Sequence, residues 1–140
     1  MSRETDARMV VDQLLKDAGW DIFDKSQVST EEPAADGRAD YLLKNSLTRP
    51  LCVIETKRFG KDPYGAKEQT LPYAQGLGAP FIILSNGNEH YFWDYVDGDA
   101  RPIMGLPSQS DLEVRANLKY HRKGTLQGSL DALPYPETFW

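Results

Sequence analysis

A chain of 140 residues, 40% hydrophobic and 26% charged, is long enough for one domain with a core of its own, and no run in it is apolar over the length of a membrane span. Its N-terminus, MSRETDARMV, lacks the apolar stretch of a secretion signal, and its one cysteine, Cys52, excludes an internal disulfide, so a buried thiol in a reducing cytoplasm is expected and no membrane partner. A net charge of −5 excludes the broadly basic surface of a free-standing duplex binder.

Residues 3–18, RETDARMVVDQLLKDA, set Met9, Val10, Leu14 and Leu15 among charges, which is the pattern of an amphipathic helix, and Gly19 stops it. From Asp24 to Gly37 the chain is polar, and a loop around one short strand is expected. GRADYLLKNSLTRPLCVIETKRF, residues 37–59, reads as a β-hairpin with strands 38–44 and 51–57 around the polar turn Asn45 to Pro50. DPYGAKEQTLPYAQGLG, residues 62–78, reads as a helix that Pro72 kinks or interrupts, ending at Gly76 or Gly78. PFIILSN runs into the turn dipeptide Asn86-Gly87, and HYFWDY returns as its partner, giving strands 80–85 and 89–95. Ser110-Asp-Leu-Glu113 has the spacing of a capping box and predicts a last helix to about His121. Residues 1–125 are expected to form the domain and residues 126–140, rich in Pro and aromatics without a period, a linker to a following one.

The hairpin carries charge where strands avoid it: Asp40 in its first apolar run, Glu55 and Lys57 in its second. With the turn centred between Leu47 and Thr48, Asp40 faces Glu55 on the neighbouring strand, and Lys57 shares the face of Glu55. Facing acids repel each other, more strongly when partly buried. A sheet accepts them where something positive lies between. A hard divalent cation fits two carboxylates, namely Mg²⁺ with Mn²⁺ as substitute. His90 and His121 have no ligand-like spacing.

Asp…Glu-X-Lys on adjacent strands, here Asp40 and Glu55-Thr56-Lys57, resembles the signature of the PD-(D/E)xK nucleases. More narrowly, Arg3 to Tyr95 resembles the N-terminal nuclease domain of type I restriction enzyme R subunits: a leading helix with RET, then AGW, GRADYLL, VIETKRF and Gln69-X-X-X-Tyr73. Ala39 stands where the name-giving proline would be. The resemblance implies a restriction-endonuclease-like α/β fold, a mixed β-sheet flanked by helices on both faces. It implies a Mg²⁺-dependent endonuclease that cuts DNA by attack of an activated water, with no sequence specificity of its own. Asp40, Glu55 and the backbone carbonyl of Thr56 would hold the metal, and Lys57 would orient the water or stabilise the phosphate oxygens. Gln69 and Tyr73, on one helical face, would sit beside the lysine or touch the DNA backbone. Glu4 would reach the metal through water. A following ATP-driven translocase in the same full-length chain is implied, with methylation and specificity subunits as further partners. ATP would enter only through that motor, whose phosphate loop of the form G-x-x-x-x-G-K-S/T does not occur in the 140 residues.

Arg58, Lys61 and Lys67 follow the acidic pair closely and would track a DNA backbone past it. Plainer readings stand beside these. Asp40 with Arg38, or Glu55 with Lys57, makes an ordinary surface ion pair. Gln69 and Tyr73 make an ordinary helix surface, and Glu4 a first-turn acid favoured by the helix dipole. At the level of function the alternatives are a degenerate nuclease fold that only binds nucleic acid or protein, and a repair nuclease of the same superfamily.

Overall fold

Residues 4–34 and 37–127 are described in a computed structural model. Helix α1, Glu4–Asp17, presents Ala7, Val11 and Leu15 as a fully buried stripe at four-residue spacing. Val10 and Leu14 only flank that stripe and Met9 is 66% exposed, so the buried face is rotated from the one expected from Met9, Val10, Leu14 and Leu15. Gly19 ends the helix in the left-handed region (φ 97°), where a residue without Cβ is unstrained. The side chain of Glu4 lies outside the described residues.

Six strands follow: β1 (Val28–Ala34), β2 (Gly37–Lys44), β3 (Pro50–Thr56), β4 (Phe81–Ser85), β5 (His90–Trp93) and β6 (Arg101–Ile103). They lie side by side in sequence order, and only β3 and β4 run parallel. A parallel neighbour requires a crossover. Here it is a short 3₁₀ helix, Pro63–Ala66, leading into α2, Lys67–Leu77. Central β3 is buried almost throughout, which is why PLCVIET reads as an apolar run without alternation.

Helices cover both faces. Val11, Leu15, Leu112 and Ala116, from α1 and from α3 (Gln109–Gln127), pack with Tyr41, Leu43, Cys52, Ile54 and Ile83. On the other face Ala66 and Ala74 pack with Leu42, Val53, Ile82 and Leu84. The expected mixed sheet between helices is therefore present. Burial pushes the Cys52 thiol pKa up, as befits an inert core group. Among the described residues, no helix is long and apolar enough to cross a membrane.

At α2 and β6 the local structure adds to what was expected, and at α3 it corrects the capping box and the end of the helix. α2 runs uninterrupted through Pro72 to Leu77 and closes on Gly78 (φ 76°), the second of its two expected ends. Pro72 and Glu68 are both exposed, so the carbonyl that proline cannot serve is left on the solvent side. The capping box of α3 is Ser108 with Asp111: Asp111 N donates to Ser108 Oγ (3.1 Å) and Ser108 N to Asp111 Oδ2 (3.3 Å). Glu113 instead accepts from Ser46 N, 2.7 Å away in the β2–β3 turn. α3 also extends past His121 to Gln127, while the rest of the expected linker, 128–140, lies outside the described residues. Finally, β6 lines the edge of β5, a strand that Arg-Pro-Ile does not advertise. At an edge, the missing proline N–H is harmless.

Candidate active site

β2 begins and β3 ends at the same end of the sheet, and there the charged residues gather. The ladder runs Leu43↔Cys52, Leu42↔Val53, Tyr41↔Ile54, so its next step sets Asp40 across from Glu55. It slips by one residue only at Lys44. There Leu47 N (2.8 Å) and Arg49 N (3.0 Å) donate to Asn45 Oδ1 and Thr48 adopts φ 65°. Asp40 is 8% exposed and Glu55 6%. Thr56 N–H donates to Asp40 Oδ2 at 2.8 Å, pinning this carboxylate against β3.

The chain leaves β3 with Lys57 N–H on Ser85 O (2.8 Å), and the Lys57 ammonium donates to Gln69 Oε1 at 3.0 Å. One helical turn later Tyr73, 8% exposed, lays its ring over Gly37 at the start of β2. α2 therefore sends one side chain to each strand of the acidic hairpin. Asn86 Nδ2 donates to Lys61 O (2.9 Å), so the β4–β5 turn holds the segment after Lys57. Gly87, at φ 93°, leaves room there for the Phe59 ring.

Arg58 and Lys61 are exposed on this segment. Lys67, expected to track DNA with them, is engaged within the domain. Its ammonium pairs with Asp99, lies 3.1 Å from Tyr64 Oη, and sits over the rings of Tyr64 (4.4 Å) and Trp93 (4.9 Å). Hydrogen bonds from Lys67, Tyr64 and the Ala100 N–H hold the Asp99 carboxyl at about 2. His90 is buried with Nδ1 2.8 Å from Ser85 Oγ, and burial pushes its pKa down.

Sequence reasoning missed the surroundings of Asp40 on its other side. Residues two apart in a strand normally share a face. Yet Tyr41 packs in the core under α1 and α3, and Ala39 in the core under α2. The strand rolls over at Asp40. Across from it stands Glu31 of β1, between the pairs Thr30↔Tyr41 and Glu32↔Ala39, at a position where no ladder pair forms and where φ is 54°. Glu31 Oε2 accepts from Arg8 Nη1 of α1 at 2.5 Å, and the Arg8 guanidinium lies 5.4 Å from the Tyr41 ring centre. Burial works to lower the Arg8 pKa. Bonds to Glu31 and Tyr41 and the charges of Asp40 and Glu31 outweigh it and raise the value. The Tyr41 hydroxyl shares its proton between Asp12 Oδ1 (2.6 Å) and Arg8 O (3.0 Å), and its pKa is raised, first by burial and then by Asp12. No local pattern in VSTEEPA signals a residue at positive φ.

The donor set of Asp40, Glu55 and the Thr56 carbonyl is all hard oxygen, and it fits Mg²⁺ or Mn²⁺ with water completing the shell. Among the described residues no group of three or more His, Cys, Asp or Glu side chains that could hold a metal ion is gathered, and the Glu4 side chain lies outside them.

The model of the type I restriction enzyme R protein N terminus matches residues 8–107. A solved structure described as a fragment of an HsdR subunit of a type I restriction enzyme from Vibrio vulnificus YJ016 is 28% identical. Its TM-score is 0.72 over 83% of this chain and 26% of that one, so the chain spans about a quarter of that relative's length. The type IIG restriction endonuclease BpuSI shares the fold at 16% identity, with a TM-score of 0.50 over 81% of this chain and 16% of its own. No curated protein matches the chain significantly. With residues 8–107 holding the whole sheet and the helix whose Gln69 meets Lys57, the chain belongs to the family of type I restriction enzyme R protein N-terminal domains.

Proposed function

We propose that this domain is the DNA-cleaving module of a type I restriction enzyme R subunit, a Mg²⁺-dependent endodeoxyribonuclease. Membership of the family supports a nuclease-related role. The observation that carries the reading is the acidic pair: Asp40 and Glu55, both nearly buried, across neighbouring strands, beside an ammonium held by Gln69. Two facing acids destabilise a sheet unless a cation joins them.

When bound, Mg²⁺ supplies Lewis acidity toward the scissile phosphate and lowers the pKa of a water. Asp40, Glu55 and the Thr56 carbonyl would hold it, and the Thr56 N–H, already bonded to Asp40 Oδ2, steadies that carboxylate. The Lys57 ammonium gives one N–H to Gln69 and keeps two for a phosphate oxygen or the attacking water, a donor set in place before charge develops. Tyr73 steadies the start of β2. Arg58 and Lys61 accompany the backbone of the bound strand. No sequence specificity of its own is assigned to the domain, and selection of sites would fall to methylation and specificity subunits. Delivery of DNA falls to an ATP-driven translocase in the full-length chain.

Calorimetric titration of the 140-residue chain with Mn²⁺ and Mg²⁺ tests the reading. Saturable binding is expected in the wild type, lost in Asp40→Ala and retained in Lys57→Ala. Both variants should abolish DNA cleavage when placed in the full-length R subunit. Absence of binding at millimolar metal, with DNA present, would overturn the reading in favour of a fold that binds without cutting.

A further inference from the structure

We propose that Asn86 is a positioning residue for the cationic segment that leaves β3: its side-chain amide clips Lys61 to the β4–β5 turn and so keeps Arg58 and Lys61 in line with Lys57 along a DNA backbone. This deepens the nuclease reading and rests on its assignment of Arg58 and Lys61 to DNA. Between β3 and the 3₁₀ helix the chain has neither helix nor strand to hold it. Arg58 and Lys61 are both exposed there, and an unheld loop would lose conformational entropy when its cations met phosphates. The β4–β5 turn holds it at alternate residues. Ser85 O accepts from Lys57 N–H (2.8 Å), Gly87 lies against the Phe59 ring, and Asn86 Nδ2 donates to Lys61 O (2.9 Å). Lys61 N–H in turn donates to Arg58 O at 3.1 Å, which closes the segment on itself.

The turn alone does not require this residue to be an amide. Asn86 Oδ1 accepts from Asn88 N (2.9 Å) and Glu89 N (2.7 Å), a role that an aspartate fills equally well. Because two N–H groups meet that atom, it is the oxygen, and the NH₂ group points the other way. Its hydrogens go to Lys61 O and to Glu89 Oε1 (3.2 Å), both acceptors that a carboxylate would repel. Asn86 is 1% exposed with both donors and both acceptor sites of its side chain engaged, so a shorter residue leaves buried partners unmet. The turn is braced in addition by Gly87 N on Ser85 Oγ (3.0 Å), which His90 Nδ1 meets at 2.8 Å. The clip is thereby anchored to the ends of β4 and β5.

Duplex binding by the 140-residue chain, with Mg²⁺ and in a Lys57→Ala background so that bound DNA is not cut, separates positioning from support of the fold. Asn86→Ser keeps a hydroxyl for the turn, adds no charge and is too short to reach Lys61. It should weaken binding about fivefold and flatten the slope of log K against log salt by about one, the loss of one phosphate contact. With Arg58→Gln and Lys61→Gln also present, adding Asn86→Ser should change affinity by less than about twofold, because the side chains it positions are gone. An equal loss in both backgrounds would make Asn86 a support of the fold only and overturns the proposal. Unchanged affinity in Asn86→Ser also overturns it, while leaving the nuclease reading intact. Absence of any duplex binding with every other basic residue in place would instead remove the assignment of Arg58 and Lys61 to DNA, and this proposal with it. Amide hydrogen exchange without metal or DNA reads the clip directly. In Asn86→Asp, Lys61 N–H should exchange about tenfold faster while Asn88 and Glu89 N–H stay protected. Loss of protection at all three amides, or at none, overturns the proposal.

Discussion

Gly37 is at the start of β2 for want of space. A Cβ built there meets Tyr73 Cζ at 3.1 Å and the Tyr73 hydroxyl closer still. Its own φ is not in the left-handed region, so the requirement is volume and not backbone freedom. Gly37→Ala should therefore tilt the Tyr73 ring and lose about 1–3 kcal/mol, the usual range for overpacking. Because the hydroxyl is the nearest atom, adding Tyr73→Phe should recover most of that loss in urea denaturation. A double variant no more stable than Gly37→Ala would show that the contact is not what limits the site. At this scale the sequence was readable wherever a charge interrupted an apolar run: Asp40, Glu55 and Lys57 announce themselves that way, and Gln69 meets Lys57 in space. Arg8 and Glu31 stayed hidden because a charged residue on a helix, or in a polar segment, looks like solvated surface until the fold pairs it. The surroundings of Lys67 stayed hidden for a related reason: proximity in sequence to Arg58 and Lys61 does not reveal that Asp99, Tyr64 and Trp93 enclose its ammonium.

Among the elements, α3 shows why a motif needs its surroundings. Two serines in PSQSDLE each have an acid three residues on, Ser108 with Asp111 and Ser110 with Glu113, and spacing alone cannot choose between them. The β2–β3 turn chooses. Ser46 N takes the Glu113 carboxylate, which leaves Ser108 and Asp111 to close the box. Ser108→Ala is expected to destabilise the domain by about 1 kcal/mol, as removal of an N-cap side chain does. Ser110→Ala removes only an exposed hydroxyl 3.2 Å from Ser108 Oγ and leaves the box itself intact, so it should stay within about 0.5 kcal/mol of wild type. Equal losses at the two positions, measured by urea denaturation, would refute the assignment. The hairpin shows the opposite case. Its register was legible because the polar turn from Asn45 to Pro50 fixes the centre of the hairpin, and the bulge at Lys44 is confined to the turn. β6 was not legible, since three residues with a proline carry no alternation.

Taken whole, the molecule separates its two jobs along the strands. Apolar residues fill both faces of the sheet, and the acids and the Lys57–Gln69 pair collect where β2 starts and β3 ends. A chain of net charge −5 repels DNA at long range, so attraction must come from cations close to the acids. Of the three basic residues that follow Lys57, only Arg58 and Lys61 are exposed without such a cage, which predicts a division of effects. Duplex binding can be followed with Mg²⁺ in a Lys57→Ala background, so that bound DNA is not cut. There, Arg58→Gln with Lys61→Gln should flatten the dependence of log K on log salt by about two, close to 0.9 for each phosphate no longer neutralised. Because both side chains are exposed, the same pair should leave the melting temperature nearly unchanged. Lys67→Gln should do the reverse: it breaks the interactions with Asp99 and with two aromatic rings, lowering the melting temperature while the salt dependence stays as steep. It should also release Asp99 from about 2 toward the ordinary carboxylate range, visible in its NMR titration. A salt slope that drops as much in Lys67→Gln as in the Arg58 and Lys61 pair would mean that the cage opens to meet DNA. The basic run would then act as one surface, as its spacing in the sequence implies.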